Sequence, residues 1–361
     1  MDSGTDVVSD APAEGSEVEP APRTGWFGAM PGWKKALVVL TALVLVMVTG
    51  IAGAGWFLYH RYDAKVERAA LMPSRPAEAV ARSEENWQSG PLNLLLLGSD
   101  SRAEENGGTS PIGERSDTII LLHINKERNH ATFISIPRDS YVYVPPGGGW
   151  KGGKNKINSA YAFGGAPLTV ETVTALTGVP LDGAVIADFA SIREMVDAVD
   201  GVNVCVESKV TSLHTGRVWQ PGCHDMDGGT ALDFVRQRYG VEGGDFGRMK
   251  NQQLVVQATI AKVESSGALK NPLELDTLLG IAADSLTVDE DLNLRDLAFA
   301  VRDIRATDID YRTVPARTAS LKTSAGTAVE LDPELSKAMF AAAAGGTMEE
   351  WLYEYPQTGR P

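Results

Sequence analysis

Between Ala36 and Tyr59 the chain runs through 24 residues, ALVVLTALVLVMVTGIAGAGWFLY, without one charged side chain. At about 1.5 Å per residue, such a helix crosses a hydrocarbon layer of roughly 30 Å. A run of this kind cannot be folded into an ordinary soluble domain, so it divides the chain. Trp33 stands at one end, and Trp56 with Tyr59 at the other, where interfacial aromatics belong. A cleaved signal peptide has a shorter apolar stretch followed by small residues. Here the run ends Phe57-Leu58-Tyr59-His60-Arg61, a poor cleavage site, so an uncleaved single-pass anchor is expected. The division that follows is a tail over 1–35, a transmembrane helix over 36–59, a stalk over 60–90, a large domain over 91–345 and a C-terminal tail over 346–361.

Basic residues do not decide the orientation. Arg23, Lys34 and Lys35 precede the span, while Arg61, Lys65 and Arg68 follow it. The only two cysteines, Cys205 and Cys223, both lie beyond the span. In an exported domain they suggest a disulfide, which for a loop of that length contributes about 3 kcal/mol; the alternative is two buried thiols. His214 and His224 match no zinc-ligand spacing. The expected arrangement puts the N-terminus in the cytoplasm and the large domain outside the cell membrane. The first thirty residues carry Asp2, Asp6, Asp10, Glu14, Glu17 and Glu19 against Arg23 and are rich in Ala, Pro, Ser and Gly, a composition that favours disorder. With a net charge of -14 the chain is a poor nucleic-acid binder.

Past Gly90 the pattern changes. Leu92–Gly98 (LNLLLLG) is nearly all apolar, as a strand buried on both faces must be. Thr118–Ile124 and Ala131–Ile136 read as two more strands, and Val202–Val206 as a fourth. Val170–Thr177 and Phe189–Val199 read as helices; in the second, Phe189, Ile192, Met195, Val196 and Val199 recur at helical steps before a capping Gly201. Interleaving of this sort predicts an α/β fold, a mixed sheet with helices on both faces in an α/β/α arrangement. The Ala-rich stretch Ala338–Ala344 reads as a surface helix.

Charged residues gather where these strands end. The first strand runs into Gly98-Ser99-Asp100-Ser101-Arg102, the second follows Arg115-Ser116-Asp117, and the third empties into Pro137-Arg138-Asp139-Ser140. Open α/β sheets bind ligands in crevices at strand ends. Each Arg–Asp pair alone is explained by a structural salt bridge; three at three strand boundaries point to a site. Arg236-Gln237-Arg238 and Asp245-Phe246-Gly247-Arg248, with Gln252 beyond, add more. If the triplet is extended, Arg236 and Arg238 share a side; if the later stretch opens a helix, Arg248 and Gln252 share a face. Clustered guanidinium groups repel unless an anion lies between them, and their planar fork suits phosphate oxygens. Carboxylates beside them fit if a divalent cation mediates, and Asp100 and Asp117 suit Mg²⁺; the alternative is that they pair with Arg115 and Arg138 and bind no metal.

The glycines around Trp150 nearly spell a nucleotide P-loop through Gly148, Gly153 and Lys154, but Asn155 stands where Ser or Thr is required. No nucleotide is expected, and the loop reads instead as a carrier of Lys154 or Lys156 toward an anion.

The succession of a membrane anchor, GSDSR, RSDT, IPRDS, KINSAY (Lys156–Tyr161), MDGGTALDFVRQR and DFGRMKNQQ resembles the LytR-CpsA-Psr family over roughly residues 91–345. The resemblance implies an α/β/α fold that binds polyprenyl pyrophosphate. It also implies an enzyme that transfers a glycopolymer, such as teichoic acid, capsule or an arabinogalactan-type chain, from that lipid carrier to peptidoglycan in cell-wall biogenesis. By position it assigns pyrophosphate contacts to Arg115, Arg138, Lys156, Arg236, Arg238, Arg248 and Gln252, and Mg²⁺ (or Mn²⁺) to Asp100 and Asp117. Arg138, Asp139 and Asp100 are the expected catalytic residues, with Asp139 or Asp100 taking the acceptor's proton. Two departures stand out: a longer segment between Asp100 and Arg115, and Asn251-Gln252 where relatives often carry Arg-Gln. The alternatives are a polyprenyl-pyrophosphate hydrolase and a non-catalytic envelope regulator, since some family members were first named as transcriptional attenuators.

Overall fold

A computed structural model describes residues 65–99, 116–188, 190–237, 241–267, 271–356 and 358. The expected tail and membrane span, with Asp100, Arg115 and Arg238, lie outside the described residues, and at Asp117 only the backbone is described. Among the described residues no helix is long and apolar enough to cross a membrane.

The strands, in chain order, are β1 (Glu67–Ala69), β2 (Leu92–Ser99), β3 (Ser116–Ile124), β4 (Ala131–Ile136), β5 (Tyr141–Val144), β6 (Gly153–Lys156), β7 (Gly183–Asp188), β8 (Val202–Val206), β9 (Val210–Thr211), β10 (Val218–Trp219), β11 (Gly222–Met226), β12 (Leu286–Asp289), β13 (Ile309–Thr313), β14 (Ala316–Thr323) and β15 (Gly326–Leu331). The helices are α1 (Ala77–Gln88), α2 (Ser159–Thr177), α3 (Ala190–Ala198), α4 (Gly228–Arg236), α5 (Asp245–Ser266), α6 (Pro272–Ser285), α7 (Leu294–Val301), α8 (Pro333–Gly345) and α9 (Met348–Glu354). Seven strands form the main sheet in the order β1-β12-β7-β2-β3-β4-β13. It is mixed: β2 pairs antiparallel with β3 and parallel with β7, and β4 pairs antiparallel with β3 and parallel with β13.

The period-2 geometry of β2 explains why its apolar residues are uninterrupted. Leu95 and Leu97 face one core with Ile119, Leu121, Ile134 and Ile136, against Val170 and Val173 of α2 and Met339 and Phe340 of α8. Leu92 and Leu94 face a second core with Leu122, Ile124 and Val288, against Ala283 of α6 and Ala300 of α7. Helices therefore cover both faces, as the interleaved pattern requires. A third cluster joins α3, α4 and α5 to the β8–β11 hairpin through Val196, Val204, Met226 and Phe234.

Three expectations change. The Ala-rich stretch is no surface helix: in α8, Ala342 and Ala343 are buried beside Met339 and Phe340, because small side chains let the helix lie close under the sheet. The domain also runs past residue 345, since Met348, Trp351 and Leu352 of α9 belong to the same core. At the other end the stalk is partly inside the fold, with β1 at the sheet edge and Leu71 buried. The two cysteines face each other across β8 and β11 and are bonded.

An arginine cluster beside an apolar cavity

Arg138 leaves the end of β4 through a short turn. Ser140 Oγ donates to the Pro137 carbonyl at 2.6 Å, and Val329 of β15 donates its N–H to the Asp139 carbonyl at 2.9 Å. Pro137 has no N–H to continue the ladder, so the chain turns here and aims Arg138 and Asp139 off the strand end. The backbone of the following hairpin returns to the same place, with Asn158 N–H donating to the Arg138 carbonyl at 3.1 Å. The turn is held from two sides.

The second half of the cluster is the start of α5. Gly243 and Gly244 take positive φ values of 80° and 60° to turn the chain into the helix. Gly247 is required for a different reason: a Cβ there would lie 2.2 Å from the Glu242 carbonyl oxygen. The helix opens with Asp245, whose carboxylate Oδ1 lies 2.7 Å from Arg248 Nη2 and 3.3 Å from Arg138 Nε. The Arg138 and Arg248 side chains retain only 9% and 7% of their exposure, so two guanidinium groups are held nearly dry beside one carboxylate. Among the described residues, one carboxylate thus bridges two guanidinium groups. Beside it, Lys156 Nζ pairs with Asp139 Oδ1 at 3.1 Å.

Gln252, one turn beyond Arg248, is buried and takes a hydrogen bond from Thr118 Oγ at 3.0 Å. Gln253 donates to Ser135 Oγ at 2.7 Å. These polar groups rim a cavity of about 230 Å³ between the sheet and α5, walled by Leu96, Ile120, Phe133, Ile192, Met249 and Val256. It is smaller than the about 300–1,000 Å³ of a pocket that encloses a whole small ligand, so it suits a segment of an apolar chain. Gly98 and Thr118, a cross-strand pair of β2 and β3, also line it. Ser99 is paired with Ser116 and Gly98 with Thr118, so Asp117 is the extra residue of a bulge, and the segment carrying Asp100 and Arg115 leaves and rejoins the sheet at this one place.

Of the expected site residues, the fold therefore gathers Arg138, Asp139, Lys156, Arg248 and Gln252 at one end of the sheet. Arg236 differs from the expectation. The Arg-Gln-Arg triplet is not a strand: Arg236 closes α4, and Gln237 behind it is buried, donating to the Asp233 carbonyl at 2.7 Å. Gln237 itself is extended, and its partner in the expected alternation, Arg238, lies outside the described residues. Asn251 is no merely missing charge either; it is buried and donates to the Phe234 carbonyl at 3.5 Å, tying α5 to the end of α4. Asp245 is the functional residue that strand-end reasoning passed over. Its signal was present as an acidic residue three before Arg248. Lys156 arrives on a β-strand paired along its length with β5 rather than on a flexible loop. Among the described residues no group of three His, Cys, Asp or Glu side chains could hold a metal ion.

The family described as LytR_cpsA_psr matches residues 57–339. A polyisoprenyl-teichoic acid–peptidoglycan teichoic acid transferase, TagU of Enterococcus faecalis, is 30% identical over 78% of this chain and 84% of its own. A probable cell wall biosynthesis protein of Corynebacterium glutamicum, LcpB, is 34% identical over 73% of this chain and 61% of its own. Among solved structures, protein gbs0355 of Streptococcus agalactiae superposes with a TM-score of 0.61 at 24% identity, covering 76% of this chain and 91% of that one.

Proposed function

Because the chain belongs to the LytR-CpsA-Psr family, we propose that it transfers a glycopolymer from a polyprenyl-pyrophosphate carrier to peptidoglycan at the outer face of the cell membrane. The observation that carries this reading is the meeting of the Arg138–Arg248 cluster with the apolar cavity that Gln252 rims. A ligand matching both has an anionic head and an apolar tail, the description of a polyprenyl pyrophosphate. The acceptor's sugar hydroxyl attacks the phosphorus next to the glycopolymer. A new phosphorus–oxygen bond forms, the bond to the bridging oxygen breaks, polyprenyl phosphate leaves, and the hydroxyl proton passes to a carboxylate, Asp139 or Asp100. Charge spreads over the phosphoryl oxygens in such a reaction, so prepositioned arginines lower the barrier.

Arg115, Arg236 and Arg238 extend the same cationic rim in this reading, and Lys156 keeps Asp139 in place. Asp100 and Asp117 would hold Mg²⁺, or Mn²⁺, which when bound neutralises phosphate charge. The apolar run of residues 36–59 serves as the anchor, with the N-terminus in the cytoplasm. A lipid carrier never leaves the bilayer, so tethering the enzyme there raises its effective concentration near the substrate.

The test is a purified assay with lipid-linked glycopolymer and peptidoglycan. Arg138→Ala is expected to abolish the adduct while leaving the protein folded, and full activity of that variant would overturn the assignment. Release of polyprenyl phosphate without an adduct would instead identify a hydrolase, and absence of any turnover in the wild-type protein a regulator.

A further inference from the structure

The hairpin that follows Arg138 carries, beyond Lys156, side chains that the transfer chemistry does not use. Antiparallel pairing sets Tyr141 opposite Lys156 and Tyr143 opposite Lys154, so these four side chains share one face of the ribbon. Directly opposed side chains have Cβ atoms about 5 Å apart, and pairs two residues along are about 7 Å further on. The strip therefore begins at Lys156, whose Nζ is 3.1 Å from Asp139, and runs outward from the site. Tyr143 at its far end keeps 55% of its exposure. The strip forms one wall of a cleft of about 610 Å³ whose other wall carries Glu330 of β15 and Lys337 of α8. Among the described residues neither Lys154 nor Lys337 is engaged in an ion pair.

The cleft's place in the fold matters as much as its lining. It lies against α2 and α8, which pack under the sheet face of Leu95 and Leu97. The apolar cavity lies on the other face, that of Leu96 and Ile120, beneath α5. The two therefore lie on opposite faces of the sheet, and the hairpin that walls the cleft follows directly from the Arg138–Asp139 turn. Phosphoryl transfer places the attacking and leaving oxygens roughly in line. If the lipid phosphate leaves from the cavity side, the acceptor hydroxyl must come from the other.

We propose that the cleft bounded by Tyr141, Tyr143, Lys154, Glu330 and Lys337 is the subsite for the acceptor, a peptidoglycan glycan strand bearing stem-peptide carboxylates. The inference rests on the transferase reading above. A pyranose ring lays its C–H face on a tyrosine ring, and tyrosine combines such an apolar face with a polar tip. Sugar hydroxyls donate to Glu330, and the two lysines receive the strand's carboxylates. Cavity and cleft then sort the substrates: the lipid tail is read by the sheet and α5, the sugar strand by the hairpin and α8.

The experiment uses the full-length protein in detergent micelles with lipid-linked donor and soluble, uncross-linked peptidoglycan strands. Tyr143→Ala and, on a separate element, Lys337→Ala are each expected to raise the acceptor's apparent KM about five- to tenfold. The donor's apparent KM, and the melting temperature, should stay at the wild-type value. An unchanged acceptor KM in both folded variants overturns the subsite while leaving the transferase reading intact. A change confined to the donor KM also overturns it, because the cleft would then hold the donor's glycopolymer. A wild-type protein that forms no adduct under these conditions sinks the transferase reading and the subsite together.

Discussion

The Asp245 carboxylate lies 2.7 Å from the Arg248 guanidinium, one turn further along the same helix. It also reaches Arg138, two residues past β4, at 3.3 Å, so one acidic side chain bridges two arginines that sequence separates widely. Asp245→Asn removes the charge between two nearly dry guanidinium groups. Leaving buried like charges without that carboxylate is expected to lower folding stability by roughly 3 kcal/mol. Added pyrophosphate should restore part of the loss by occupying the same gap. Thermal denaturation of both proteins, with and without pyrophosphate, measures it, and an unshifted melting temperature would show that Asp245 is dispensable.

The cavity wall offers a second prediction. Val256 faces the cavity from α5, two turns beyond Arg248. Val256→Trp puts a large ring into about 230 Å³ of space. Binding of long-chain polyprenyl phosphate should weaken at least tenfold, about 1.4 kcal/mol, while binding of inorganic pyrophosphate changes little. Equal loss of both ligands would mean that the cavity does not hold the tail.

Removal of the Cys205–Cys223 bond, which closes a sequence separation of 18 residues, tests the hairpin cluster. The constraint it imposes on the unfolded chain is worth about 3 kcal/mol. Cys205→Ser/Cys223→Ser, or reduction of the wild-type protein, should lower stability by that order in denaturant titration. Both cysteines are exposed and neither is among the site residues, so catalysis by the folded fraction should persist.

His123 gives a pH prediction. Its Nδ1 lies 2.8 Å from Asn93 Oδ1 within the sheet, and burial, helped by the nearby His130 and Arg128 charges, lowers its pKa from 6.5 to about 4. The unfolded chain therefore takes up a proton near pH 6.5 that the folded chain refuses until about pH 4. The stability that His123 contributes is full above the unfolded value and falls as pH drops through this window, by roughly 3 kcal/mol in total. His123→Gln should flatten the stability curve between these limits; an identical acid limb in the variant would assign the loss to other groups.

Much of the fold is readable along the chain. The LNLLLL strand had to be covered on both faces because both of its alternating sets are apolar, and Leu92–Ser99 is covered on both. The helices of residues 170–177 and 190–198 follow from apolar spacing in the same way. Boundaries that depended on what packs against an element were not readable. Nothing local tells Ala342 and Ala343 that Met339 and Phe340 will draw them under the sheet, and nothing local tells Trp351 that it completes a core begun at Leu95.

The site divides along the same line. The chain by itself supplied the candidates: arginines and aspartates at strand ends, a charge-free apolar run, and motifs in the order of one family. Residue type and local order are properties of the chain, so they survive without coordinates. Only the tertiary structure decided who meets whom. It put Asp245 between Arg138 and Arg248, ended α4 at Arg236 instead of extending it, and set the apolar cavity and the tyrosine-lined cleft on opposite faces of one sheet. Those facts depend on strand order and helix packing, where contacts between distant segments outweigh any local preference.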